Sequence, residues 1–184
     1  GEFRALLAWN TEYCADDDAG AELRYLHAPL AAFRAEPRAA LARNYAHPPA
    51  PGAERVETRF TDAYVVYGAR QGYSSYPPGE SEPPLASRVV ALPLARPDQW
   101  TMLEAPHDAM RIERVGDNIA VTGYRDEGGL SLSIIDLRAT PRVADTLVLE
   151  GRFESEGRSH AFNSLVDQSG VGLMGIPTVR RDIP

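Results

Sequence analysis

The chain has 184 residues, 43% of them hydrophobic, which is enough to bury a core of its own and excludes wholesale disorder. A formal net charge of -7 sets the average surface against nucleic acid and against anionic lipid as the main partner. One cysteine, Cys14, excludes an internal disulfide framework, and no run approaches the ~20 apolar residues that span a bilayer, so no membrane insertion is expected.

In chain order, residues 3–9 read as a first strand ending in Leu6-Leu7-Ala8-Trp9, and residues 23–26 read as its return. Between them Asp16, Asp17 and Asp18 precede Gly20. Hard oxygen ligands in a tight loop suit calcium, which makes these aspartates the candidate metal site and calcium the single candidate cofactor. The alternating acids and closing glutamate of an EF-hand are missing, and a solvated hairpin tip is the simpler reading. Residues 30–45 are rich in Ala and Arg, and Pro37 in a first turn predicts one short helix over 37–45.

A repeat follows. Arg59-Phe60-Thr61-Asp62-Ala63-Tyr64-Val65-Val66-Tyr67-Gly68 matches Arg114-Val115-Gly116-Asp117-Asn118-Ile119-Ala120-Val121-Thr122-Gly123 at an offset of 55 residues, and a weaker copy, Gly170-Val171-Gly172-Leu173-Met174-Gly175, lies another 52 on. Leu6 stands 58 residues before Tyr64, at the matching place of an earlier unit. After each copy come a connection and two further strands, 88–94 and 100–103 in one unit, 130–137 and 146–149 in the next. Leu130-Ser131-Leu132-Ser133 alternates as a strand buried on one face should. With a strand before the Asp-containing turn, as at 110–115, each unit has four strands. In the unit that holds the 59–68 copy, residues 71–87 form an inserted loop carrying Tyr73 and Tyr76 among four prolines. Its stiffness suits a recognition surface, because little conformational entropy is left to lose on binding, but a tolerated, solvated insertion is the simpler reading, since loops absorb insertions cheaply.

These units predict an all-β fold of repeated four-stranded antiparallel meanders, the blades of a partial β-propeller, with approximate units 1–46, 47–105, 106–151 and a partial 152–184. The competing architecture is a β-sandwich whose hairpins are alike only as all hairpins are. About three units are fewer than the ~4 to 8 blades of a closed ring. The ring is then expected to be finished by missing sequence, by another chain, or not at all.

Three histidines, His47, His107 and His160, fall in connections before a unit's inner strand. Such connections can line the mouth of a propeller axis, and His107, Asp108, Arg158 and His160 are therefore candidates for ligand binding, beside Tyr73 and Tyr76 of the loop. The simpler reading is that each imidazole bonds a blade edge. Arg158-Ser159-His160 with Asp108 has the residue types of a hydrolase triad but lacks a Gly-x-Ser-x-Gly elbow, so no residue is assigned a catalytic role.

The segment 108–177, through Arg114-Val115-Gly116-Asp117-Asn118, Leu132-Ser133-Ile134-Ile135-Asp136-Leu137, Arg158-Ser159-His160 and Gly172-Leu173-Met174-Gly175-Ile176-Pro177, resembles the secreted bacterial β-propeller-domain proteins of largely unassigned function. That resemblance implies an extracytoplasmic (periplasmic or secreted) scaffold and supplies no catalytic residues. The Gly-His and Trp-Asp pairs of WD repeats are absent, and the lone Gly128-Gly129 falls short of kelch. The expectation is a non-catalytic scaffold that binds a protein or ligand; the alternative is a propeller hydrolase or lyase with a His/Asp/Arg site on the axial face.

Overall fold

The structure is a computed structural model and describes residues 1–9, 22–34, 44–52, 55–70, 85–155, 163–169 and 171–180. It is all-β. A first sheet joins β1 (Glu2–Trp9), β2 (Glu22–Pro29) and the two-residue β3 (Tyr45–Ala46). The second runs in sequence order through β4 (Arg55–Phe60), β5 (Tyr64–Arg70), β6 (Ser87–Pro93) and β7 (Thr101–Ala105). The third does the same through β8 (Arg111–Val115), β9 (Asn118–Tyr124), β10 (Gly129–Asp136) and β11 (Arg142–Glu150). All neighbours pair antiparallel, so the second and third sheets are each a four-stranded meander. Two short ladders follow, β12 (Arg152–Glu154) with β15 (Thr178–Arg180) and β13 (Asn163–Val166) with β14 (Gly172–Gly175). No sheet among the described residues closes on itself.

Side chains alternate across a strand, so a strand apolar at every position is one packed on both faces. Tyr64-Val65-Val66-Tyr67 and Val89-Val90-Ala91-Leu92 are of that kind. Val65, Tyr67, Val90 and Leu92 pack with Leu23 and Tyr25 of β2. Their neighbours Val66, Val89 and Ala91 pack with Ile112, Ile119, Val121 and Ile135 of the third sheet. The second sheet is thus the filling between the first and the third. Each fully buried aliphatic side chain contributes about 1.5–3 kcal/mol, which makes these two layers the main cohesion of the fold. A smaller cluster of Met110, Tyr124, Leu130 and Phe153 joins the third sheet to β12. Arg111 reinforces it with an ion pair to Glu154 at 2.7 Å, both side chains largely buried.

The segment 107–110 passes between the second and third sheets. Ala109 N–H donates to the Ala69 carbonyl, and Asp108 and Met110 donate to the Tyr124 and Thr122 carbonyls. Two glycines make room for it. A Cβ on Gly123 would lie 1.9 Å from the Asp108 carbonyl oxygen, and one on Gly68 would lie 2.8 Å from the Ala109 Cβ. The sequence alignment at an offset of 55 superposes these glycines, yet they approach the segment from opposite sides. Val65 and Tyr67 face the preceding sheet, as Ile119 and Val121 do, so equivalent facing pairs Val65 with Ile119, one residue off the sequence match. A one-residue slip exchanges the two faces of a strand, and shared contact with 107–110 explains why the glycines nonetheless coincide.

Strand β10 also differs from expectation. Its serines are buried, Ser131 at 3% and Ser133 at 0% exposure, as is Leu130 on the other face, while Leu132 and Ile134 are half-buried. The predicted helix over 37–45 falls outside the described residues except for its end: Asn44 lies in a turn and Tyr45 opens β3. The described helical element is instead a single 3-10 turn, Leu30–Phe33, whose Phe33 ring meets Phe3 edge-on at 5.3 Å.

Candidate functional site

Of the residues that the sequence singled out, His107 and Asp108 are described; Tyr73, Tyr76, Arg158, His160, Asp16, Asp17 and Asp18 lie outside the described residues. His47 is exposed, its Nδ1 3.4 Å from Glu22 Oε1. Among the described residues no three His, Cys, Asp or Glu side chains gather as a metal site, and no helix is long and apolar enough to cross a membrane.

His107 is fully buried. Its Nδ1 lies 2.7 Å from the Asp108 carbonyl oxygen, which only accepts, so Nδ1 carries the ring proton. Nε2 of the neutral ring then accepts from Ser133 Oγ at 2.7 Å, and the Ser133 oxygen accepts in turn from Thr146 Oγ1 at 3.1 Å. Burial lowers the imidazole pKa below its ordinary value, outweighing the bond to the Asp108 carbonyl, and keeps the ring neutral. Histidine beside serine is the grammar of an activated nucleophile, but Ser133 is itself at 0% exposure and the ring has no free nitrogen. What this chain of bonds does is fasten the segment 107–110 to β10 and, through Thr146, to β11.

Solvent-facing polar groups gather where the hairpin turns line up. The turn 61–63 is closed by Thr61, whose Oγ1 accepts from Tyr64 N–H at 2.9 Å. The turn after β8 is made by Gly116 at φ 64, a left-handed conformation that suits glycine. The turn after β13 is closed by Asp167, whose Oδ1 accepts from the Ser169 and Val171 amides at 2.8 and 3.0 Å. Arg114 ties the first two turns together, donating to Asp62 Oδ2 at 2.9 Å and to the Gly116 carbonyl at 3.0 Å. One strand earlier Arg59 spans the same pair of sheets, donating to the Ile112 carbonyl at 3.1 Å and to the Glu113 carboxylate.

Between the first two turns and the β10–β11 turn lies a cleft of about 200 Å³, lined by Thr61, Asp62, Tyr64, Arg114, Asp117 and Arg138 among others. Arg138 is fixed by Asp136, which accepts from Arg138 Nε at 3.0 Å, from the Arg138 terminal nitrogen at 2.9 Å and from Arg142 at 3.1 Å. The side-chain bonds from Arg138, then its backbone N–H, hold the Asp136 carboxyl far below the usual carboxylate range. The cleft therefore presents the Arg114 and Arg138 guanidiniums beside the Asp62 and Asp117 carboxylates, with Thr61 and Tyr64 also in its lining. It is smaller than the ~300–1,000 Å³ of drug-sized ligand pockets and matches one or two side chains of a docked chain.

Comparisons with protein-family models, with curated proteins and with solved structures found no match to this chain. The cleft residues were absent from the sequence-based candidates, although Asp62 and Asp117 recur at the tips of the repeated hairpins. That recurrence was the available signal. Arg114 and Arg138 carry no signal of their own, since only the fold brings them together.

Proposed function

We propose that the chain is a run of β-propeller blades acting as a non-catalytic scaffold, and that it binds a protein partner across the row of hairpin turns, with the cleft beside Arg114 and Arg138 taking that partner's polar side chains. The observation that carries the reading is the second sheet, a four-stranded meander covered on one face by the preceding sheet and on the other by the following one. Consecutive meanders stacked face to face are what radial repetition of blades requires. The small size and charge balance of the cleft favour a protein side chain over a free substrate. A hydrolase or lyase built on His107 would need the imidazole to reach a substrate, and both its nitrogens are engaged in the interior. An extracytoplasmic setting belongs to this proposal and rests on the resemblance of 108–177 alone.

The test is selection of binding peptides from a displayed random library against the intact chain, followed by titration of the winners. Arg114→Ala with Arg138→Ala should weaken the turn-face binders about tenfold or more, with binding read well below a melting temperature that itself falls, because Asp136, its side chain 10% exposed, then keeps only Arg142 as a guanidinium partner. Equal affinity of every selected peptide for the double variant removes the cleft from the site.

A further inference from the structure

The outer edge of the third sheet is β11, nine residues long and exposed at all but Val143 and Leu149. Other edges are short or guarded. Strand β3 has two residues, β7 exposes only Glu104, and β8 is met by Arg59 of β4, which donates to the Ile112 carbonyl. The first half of β11 is guarded too. Its pairing with β10 shifts between Ile134 and Ile135, where Ala144 is the extra residue of a bulge, and the Asp145 carboxylate accepts from the Thr146 N–H at 2.8 Å. Bulges and charges are how a sheet edge is kept from pairing. Leu147-Val148-Leu149, in the second half, has neither, and Leu147 and Val148 are 52% and 45% exposed.

The ladder decides which backbone groups face outward. Gly151 N–H donates to the Gly128 carbonyl, so the bonded pairs of β10 and β11 continue through Leu130 with Leu149 and Leu132 with Leu147. Thr146, Val148 and Glu150 alternate with these, and their N–H and C=O groups point away from β10; the Thr146 amide that Asp145 captures is one of them. Val148 has no backbone partner on that side among the described residues. A row of free donors and acceptors along an extended strand fits one kind of occupant, another strand. The run is also its own complement. Set antiparallel to itself about Val148, it places Val148 beside Val148, Leu147 beside Leu149 and Glu150 beside Thr146, so apolar meets apolar and no like charges oppose. Centring the pair on Leu147 would set Asp145 against Leu149, and centring it on Glu150 would oppose two carboxylates.

We infer that a second copy of the chain pairs with this one edge to edge, β11 antiparallel to β11 about a two-fold axis at Val148, which joins the two third sheets into one continuous sheet. Val148 exchanges N–H and C=O bonds with the partner's Val148, Glu150 N–H reaches the carbonyl of the partner's Thr146, and Leu147 is covered by the partner's Leu149. The contact is isologous, so it closes at a dimer. The cleft beside Arg138 lies at the opposite end of β11 from this run, so the turn-face reading and the dimer fail separately.

Light scattering after size exclusion, across a roughly hundredfold range of concentration, reads the assembly. The mass should rise from the 20.1 kDa of one chain to twice that and stop. Leu147→Lys puts a charge at an exposed edge position and should raise the dissociation constant about tenfold or more, with unchanged circular dichroism. Val148→Pro should do the same, because the N–H it deletes points away from β10 and the ladder within the chain keeps its bonds. On a Cys14→Ser background, Val148→Cys should give a disulfide-linked dimer under air oxidation, and Leu165→Cys, at an exposed position in β13, should not. A chain that stays monomeric throughout overturns the inference, and so does a dimer that Leu147→Lys leaves intact. A dimer weakened by Leu147→Lys that forms no Val148→Cys link overturns the two-fold register.

Discussion

The second sheet and the β13–β14 ladder come from related stretches of sequence and live in opposite environments. Both contain a hairpin with a polar turn between apolar strands. In the second sheet every residue of Val65-Val66-Tyr67 and of Val89-Val90-Ala91-Leu92 is at 0% exposure, because sheets lie on both sides. In β13–β14 the paired leucines at 165 and 173 are more than two-thirds exposed, because a sheet lies on one side only. Position in the stack, rather than hairpin sequence, decides how much a given apolar side chain contributes.

The sharpest way to break this comparison is to make one substitution in both places. Leu92→Ala removes three buried carbons from the interior between the first two sheets and should cost about 2–5 kcal/mol, since packed surroundings relax only in part. Leu173→Ala should change stability by less than about 0.5 kcal/mol. Urea unfolding followed by circular dichroism gives both numbers. Comparable losses at the two sites would mean that the ladder is as enclosed as the second sheet.

A second contrast concerns polar groups in the interior. His107→Ala leaves the Asp108 carbonyl and Ser133 without their partner and opens a cavity, for an expected loss of about 2–4 kcal/mol. The pH dependence follows from burial. Because the folded chain holds His107 below its ordinary pKa of 6.5, the unfolded chain binds the proton first as pH falls, and stability drops below about pH 6.5. The slope from one such group is at most about 1.4 kcal/mol per pH unit, and it should be missing from the His107→Ala variant. Parallel stability curves for the two proteins between about pH 5 and 7 would show that the imidazole charges freely in the folded state.

The sequence made the strands and turns legible where periodicity is local. The pairing order of the second and third sheets follows from short turns such as 61–63 and 116–117, which leave adjacent strands no choice but to pair. Facing was harder to read. Leu130-Ser131-Leu132-Ser133 alternates cleanly, and the alternation suggested that leucine faces the core, but with sheets on both sides the serines face the tighter interior, where Ser133 meets His107. Periodicity tells that two faces differ and not which neighbour each one meets. The lining of the cleft was illegible for a related reason: Asp62, Asp117 and Arg138 belong to three turns that only the pairing and stacking of two sheets bring together.

The smallest expected effect tests whether the row of turns is held by its surface charges or by the sheets beneath. Arg114 and Asp62 are 43% and 87% exposed, so water screens their attraction and fixing two long side chains opposes it. A double-mutant cycle of Arg114→Ala with Asp62→Ala should give a coupling of only about 0.2–1 kcal/mol, diminishing with added salt. The underlying geometry is independently secured by the Thr61 hydroxyl, by Gly116 and by the apolar layer of Val66 and Ile119. Arg114 is therefore free to exchange Asp62 for an incoming acidic group with little loss of stability, which is what a contact residue on a rigid face needs. A coupling several times larger would instead make the pair a structural clamp and would leave the proposed contact to Arg138.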